Sequence, residues 1–317
     1  MNKVSMSLVA MAFALAAQPA VAEFPEHDVT MIIGYAAGGS TDVMARAMVP
    51  FMEKYLGGKV SVVVKNVTGA GGQVAVTQIA QAAPDGYTIG NLNLPGTVAR
   101  TYDRKAGYTL DSFTYLANVV DDSSILVAKK GGPYDTLEKV LAQGRKEPGS
   151  ITYAISGLGG DDHFGGQQLA KAAGVTFTYI PFGSASPGRA AVMGGHVAVA
   201  GLNVSEIQGY EDSLAVLGVM AKERSEFTPD LPTMREQGYD VEMSSSRGFV
   251  APAGVPAAIR SALISALEKT VADPAFREVA KKQGLLLKTM SGEAYEKFAR
   301  RQSEIIGEVW KTNPWKN

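Results

Sequence analysis

The chain has no cysteine among its 317 residues. That excludes disulfide cross-links, a thiol nucleophile, a thiolate metal site and lipidation at a cysteine. An excess of one charge is also missing, since 30 Lys and Arg stand against 31 Asp and Glu. No basic stripe interleaves with aromatics, so nucleic acid is not an expected partner. Histidine is sparse: His27, His163 and His196 lie far apart in sequence and offer no metal-ligand spacing. No cofactor is expected. Long hydrophobic runs are absent as well, and the mostly apolar residues 4–17 fall short of the ~20 that a spanning helix needs. Lys3 precedes that run and Ala20-Val21-Ala22 closes it, which reads as an export signal cleaved after Ala22. Export without disulfides fits a bacterial periplasm.

What the chain does have is glycine, 35 residues of it, much of it paired between periodic segments. Those pairs read as turns between strands and helices. The organising stretch is 29–55. A β-branched apolar run over 29–33 predicts a buried strand, the turn Gly38-Gly39-Ser40-Thr41-Asp42 follows, and a helix carries Val43, Ala47, Phe51 and Tyr55 on one face. Ser40 or Thr41 is expected to cap that helix. Its free N–H groups and positive dipole end favour an anion, and the glycines let a ligand approach the backbone. Strands at 60–65 and 87–91, with helices between, extend the unit into a parallel sheet, whose ligands bind outside the carboxyl ends of the strands. Loops 36–42, 66–72 and 92–97 therefore converge. Further strands are expected at 113–119 and 125–128, separated by the polar Asp121-Asp122-Ser123-Ser124, which suits a crossing between domains. A second α/β unit begins at Ile151, with the turn 156–162 repeating the logic of the first. The extended stretch 241–250 is the expected return crossing, and helices follow to the C-terminus.

Several fragments, in this order, resemble a known family: GYAAGGSTDVMAR at 34–46, NVTGAGGQVA at 66–75, APDGYT at 83–88, GLGGDDHF at 157–164, PFGSASPGRAAVMGGHV at 181–197, LPTMREQGY at 231–239 and GFVAPAGVP at 248–256. The chain is similar to the periplasmic solute-binding proteins of tripartite tricarboxylate transporters, the Bordetella-uptake-gene group. The resemblance implies an α/β, two-lobed Venus-flytrap fold, each lobe a mainly parallel sheet flanked by helices, that closes on a small carboxylate. It implies delivery to the integral-membrane subunits of a transporter. An adaptor that reports the ligand to a membrane sensor kinase would use the same binding chemistry. The expected organisation is a signal peptide at 1–22, one lobe from 23–122 plus 247–317, and a second lobe from 123–246.

In the family the carboxylate is held by the turns after the first and third strands and by the corresponding turn of the second lobe, largely through backbone groups and water. Carried onto this chain, the ligand-binding positions are Tyr35, Ala37, Gly39, Ser40, Thr41 and Asp42, then Asn93, Pro95 and Gly96, then Ser156, Gly159, Gly160, Asp161 and Asp162, with Phe182 and Arg247. The chain departs from the pattern at several of them. Ala36 and Ala37 replace prolines, Gly160 replaces a serine, and Asp161 and Asp162 add negative charge. Phe182-Gly183-Ser184 replaces Tyr-Lys-Gly, Ala198 replaces an acid, and Arg247 replaces an aromatic. Two readings follow. Asp42 with Asp161 or Asp162 would hold an ammonium or hydroxyl group, or Arg247 would grip a second carboxylate bidentately.

Enzyme chemistry finds little footing. Ser156, Asp162 and His163 supply the residue types of a triad, but Asp162 and His163 are neighbours and no G-x-S-x-G elbow surrounds Ser156. Gly69-Ala70-Gly71-Gly72 fits neither a dinucleotide fingerprint nor a P-loop. Asp121, Asp122, Asp161 and Asp162 are read as solvated hinge and turn carboxylates rather than a cation site.

Overall fold

The computed structural model describes residues 24–224, 228–312 and 314–315. The export signal expected at 1–22 lies outside them. The elements in chain order are β1 (Val29–Ile33), α1 (Ser40–Tyr55), β2 (Val62–Asn66), α2 (Gln73–Ala80), β3 (Thr88–Leu94), α3 (Gly96–Asp103) and β4 (Phe113–Lys129), then α4 (Leu137–Lys146), β5 (Ile151–Ile155), α5 (Asp161–Ala173), β6 (Phe177–Pro181), α6 (Ala185–Gly194), β7 (Val199–Asn203) and β8 (Leu214–Val219), and finally β9 (Ser244–Pro252), α7 (Ala257–Ala272), α8 (Pro274–Lys282), β10 (Leu287–Ser291) and α9 (Glu293–Thr312).

Two sheets form, joined by one strand. In the first, β2, β1 and β3 run parallel, β9 joins β3 antiparallel, and β4 lies between β9 and β10, antiparallel to both. In the second, β6, β5 and β7 run parallel, and the far end of β4 lies between β7 and β8, again antiparallel. The antiparallel members are those that carry the chain between lobes or close a sheet edge. Strand β4 changes sheet without ending: Ser123 pairs with Ser244 of β9, and Ser124 pairs with Asn203 of β7. The two separate strands expected around Asp121–Ser124 are thus one strand. Its polar centre is tolerated because Asp122 and Ser124, both fully buried, find partners from β7, β9 and the turn after β7.

Each sheet is covered on both faces, which is why its parallel strands are apolar at successive positions. In β1, Val29, Met31 and Ile33 face a core shared with α1, α7 and α8, while Ile32 faces a second core with α2, α3 and α9. The second lobe repeats this, with α4 and α5 on one face and α6 on the other. Helix α1 buries Met44, Met48 and Met52, whereas Val43 is 37% exposed. The deepest stripe is therefore one position round from the expected Val43, Ala47, Phe51 and Tyr55, of which the last three only flank the core. Neither Ser40 nor Thr41 caps α1. Gly39 is its N-cap, and no side chain bonds the first amides.

Helix α3 follows β3 directly. The sequence Leu92-Asn93-Leu94-Pro95-Gly96 carries breakers and reads as a loop, yet β3 runs through Leu94 and the helix starts at Gly96. Asn91 and Asn93 remain in the strand because they are satisfied at a distance. Gly34 N–H donates to Asn91 Oδ1 at 2.9 Å, Asn91 Nδ2 donates to Asn93 Oδ1 at 2.8 Å, and Asn93 Nδ2 donates to Thr41 Oγ1 at 3.0 Å. This chain of bonds ties the end of β1, the end of β3 and the first turn of α1 into one rigid floor.

Candidate functional site

A cleft lies between the lobes, at the carboxyl ends of the parallel strands. Its walls include Tyr35, Ala36, Gly39, Ser40, Thr41, Asn93, Leu94, Gly96 and Arg100 from the first lobe, and Ser156, Gly160, Asp161, Asp162, Ser184, Ala185, Ser186, Gly201, Leu202, Asn203 and Glu206 from the second, with Ser245 and Arg247 from β9. Four helices, α1, α3, α5 and α6, begin at this cleft, and none of their N-caps makes a side-chain capping bond. First-turn amides have no partner in the preceding turn of a helix, although in α5 the His163 amide is taken by Asp162 and in α3 the Val98 amide by Pro95 O. A gap between lobes walled by such termini favours an anion.

Of the positions singled out from the sequence, Tyr35, Gly39, Ser40, Thr41, Asn93, Gly96, Ser156, Gly160, Asp161, Asp162 and Arg247 come together here. Ala37, Asp42, Pro95, Gly159 and Phe182 do not line the cleft. Asp42 lies behind the first turn, where its carboxylate accepts from Gly38 N–H at 2.8 Å, Asn66 Nδ2 at 2.9 Å and Arg46 Nε at 3.0 Å. Burial alone would raise its pKa, but these donors outweigh burial and hold it below the usual value. It is a brace for the loop, and the Asp42–Arg46 pairing at four-residue spacing was open to sequence reasoning. Asp42→Ala is expected to destabilise the protein by about 1–3 kcal/mol in chemical denaturation, because it strands the Gly38 and Asn66 donors. Unchanged stability with lost ligand affinity would instead place Asp42 against the ligand.

Arg247 is 1% exposed and holds the centre of the hinge. Its Nη1 lies 2.9 Å from Asp122 Oδ2 and donates to Ser205 Oγ at 3.2 Å, while Nη2 donates to Asn203 Oδ1 at 3.0 Å and stands 3.9 Å from Glu206. Burial raises the pKa of Asp122 and of Glu206, and Arg247 only partly offsets this. Asp122 is thus a buried ion-pair partner, not the solvated carboxylate expected. Asp121 is bonded by Ser244, Ser246 and Lys288. Asp162 accepts from the amides of Ser156 and His163. Asp161 Oδ2 accepts from Ser124 Oγ at 2.7 Å and Asn203 Nδ2 at 2.8 Å. The lobes touch across the cleft where Ser40 Oγ donates to Glu206 Oε1 at 2.7 Å.

Arg100 is the chief residue that sequence reasoning missed, because the helix carrying it was hidden by Pro95-Gly96. It is 5% exposed, and its Nε donates to Ala70 O at 3.0 Å while Nη1 bonds Gly96 O. The glycines make room for it: a Cβ on Gly71 or Gly96 would collide with the guanidinium. In the loop after β6 the position singled out was Phe182, whereas Ser184, Ala185 and Ser186 line the cleft, and the turn after β7, which carries Glu206, was missed as a wall.

Two α/β lobes hinged on paired strands, with a cleft between them lined from both sides, define a solute-binding receptor fold. Comparison with known proteins gives the family. The profile described as "Tripartite tricarboxylate transporter family receptor", TctC, matches residues 44–313, and the chain belongs to that family. It is 31% identical over 297 residues to a Cupriavidus necator protein described as "UPF0065 protein in gbd 5'region", covering 91% of this chain and 89% of that one. Among solved structures it is similar to periplasmic binding protein BugD, at 30% identity and a TM-score of 0.85, covering 93% of this chain and all of that one. It is also similar to MatC from Rhodopseudomonas palustris with bound malate, at 26% identity and a TM-score of 0.81, covering 90% and 99%. The family is one of periplasmic receptors for small solutes, carboxylates among them. No helix among the described residues is long and apolar enough to cross a membrane.

Proposed function

We propose that the protein, exported by a leader cleaved after Ala22, captures a small organic carboxylate between its lobes and delivers it to the integral-membrane subunits of a tripartite tricarboxylate transporter. The observation that carries this reading is the convergence of four uncapped helix N-termini on the cleft. Malate bound to MatC supports the same ligand chemistry. Residues 23–122 with 247–317 form one lobe and 123–246 the other, so closure turns on the crossings of β4 and β9. A ligand drives closure only if it touches both lobes, and the transporter then reads the closed state.

The test is thermal unfolding of the mature protein, freed of co-purified ligand, against mono-, di- and tricarboxylates, amino acids and aromatic acids. A ligand at ~100 times its dissociation constant adds about 2.7 kcal/mol, so a shift of several degrees is expected for at least one acid. No shift with any carboxylate would sink the reading.

A further inference from the structure

One residue ties the lobes together outside the cleft. Trp315 follows α9, yet it is only 4% exposed. Its ring meets Trp310 of α9 edge-on, with centroids 4.8 Å apart, and Phe164 of α5 edge-on, again at 4.8 Å. Trp310 belongs to the first lobe and Phe164 to the second. The turn after β5 closes on the same indole: a Cβ on Gly159 would stand 3.1 Å from Trp315 Nε1 and 2.8 Å from Ala99 Cβ of α3. A glycine, here with a φ of 77°, is what lets that turn come so near. Away from the indole the seam between α5 and α9 is not filled. It is a groove lined by Phe164, Gln167, Met243, Gln302, Ile306 and Val309. On this side of the molecule, apolar contact between the lobes gathers around Trp315.

The link on the α1 side is polar, from Ser40 Oγ to Glu206 Oε1, and water replaces such a bond at little cost when the lobes part. The indole is different. A tryptophan carries about 150–250 Å² of surface, and pulling it off Phe164 and Gly159 returns part of that to water. One group opposes this: Trp315 Nε1 is buried with no hydrogen-bond partner among the described residues, so parting the lobes hydrates it. The balance leaves a contact that favours closure and still releases. We propose that Trp315 is a latch: seated on Phe164 and Gly159, it biases the free protein toward the closed lobes and so sets how tightly the cleft holds its ligand. It is a positioning residue, since it does not itself line the cleft. This rests on the two-lobe capture reading above and holds whichever acid binds. When only a fraction of the free protein is closed, apparent affinity falls in proportion to that fraction.

The lack of native cysteine makes the test direct, because introduced thiols can be labelled alone. Lys282→Cys on α8 and Asp212→Cys before β8 place spin labels at exposed sites on opposite lobes. Pulsed electron-spin distances in the ligand-free mature protein are expected to lengthen in Trp315→Ala. Trp315→Phe, which keeps an aromatic ring, should restore most of the parental distribution. Phe164→Leu removes the partner on the other lobe without leaving a large hole, and should lengthen the distances as Trp315→Ala does. By calorimetry, each mono-, di- or tricarboxylate that stabilises the parent in the thermal screen is expected to bind Trp315→Ala about ten-fold more weakly. Distances that match the parent's in both Trp315→Ala and Phe164→Leu overturn the latch and leave the carboxylate reading standing, even if the variants melt earlier, since a merely structural tryptophan would lower the melting temperature alone. Lengthened distances with unchanged affinity for those acids overturn the link between latch and affinity. Lengthened distances in a protein that no carboxylate stabilises support the latch and sink the carboxylate reading.

Discussion

Arg247→Met is expected to destabilise the free protein by about 3–5 kcal/mol and lower its melting temperature by roughly 10 °C. The loss comes less from the bonds that Arg247 makes than from what its removal leaves behind. Asp122 is fully buried, and Glu206 is held at 9% exposure beside it. Burial already pushes both carboxyls above their ordinary pKa, and the guanidinium is the main group drawing them back. Without it, each must ionise uncompensated in the hinge or take up a proton. The defect should therefore shrink on acidification. A carboxyl with a raised folded pKa contributes stability that is present at low pH and is lost as pH rises through that pKa. Urea titrations at pH 7.5 and pH 5 check both parts. A loss below about 1 kcal/mol at pH 7.5, or one that grows toward pH 5, would contradict this account of the hinge. Pairing Arg247→Met with Asp122→Leu is expected to recover much of the stability, since a buried ion pair replaced by apolar groups is often neutral or better.

That network also marks where sequence reading stops. The glycine turns after β1 and β5 were legible because a turn that feeds a helix is a local event, written in adjacent residues. So was the placing of Ser40, Thr41, Gly96 and Asp161 at a common end of the sheets, which follows from parallel order alone. What was not legible depends on partners far along the chain. Asp121–Ser124 reads as an interruption until Arg247, more than 120 residues on, is known to lie beside Asp122 in the paired strand β9. Asn93 and Pro95 read as loop residues until Thr41 is known to bond Asn93. The direction of a carboxylate is the hardest case. Asp42 and Asp161 both sit in the first turn of a helix behind a Gly N-cap, yet one braces its own loop and the other lines the cleft. Asn66 and Arg46 decide the first, Asn203 and Ser124 the second, and only their positions in space say so.

The pH response of the second lobe's turn is expected to be nearly flat until one of two neighbours is removed. Asp162 is 4% exposed; burial first, and then the adjacent Asp161, push its carboxyl up to about 7, with the bonds from Ser156 and His163 opposing. His163 is 2% exposed, and burial pushes its imidazole down to about 4. Its Nδ1 accepts the Gly159 N–H at 3.1 Å, so a proton there would displace a donor. The signs are opposite. Asp162 gives stability that is fully present below its unfolded pKa near 4 and is lost as pH rises to about 7. His163 gives stability that is present above about 6.5 and is lost as pH falls to about 4. Between about pH 4.5 and 6.5 each slope approaches ~1.4 kcal/mol per pH unit, and the two largely cancel. Asp162→Asn leaves the histidine slope alone, so that variant should weaken steeply on acidification. His163→Gln leaves the carboxyl slope alone, so that variant should gain stability over the same interval. The measurement is the slope of unfolding free energy with pH, not its level, because the side-chain amide introduced by Asp162→Asn accepts only one of the two backbone N–H groups that the carboxylate accepts. Variant slopes that match the parent's across this interval would show that neither group titrates as its burial demands, and a common sign for the two would show that their opposition is wrong.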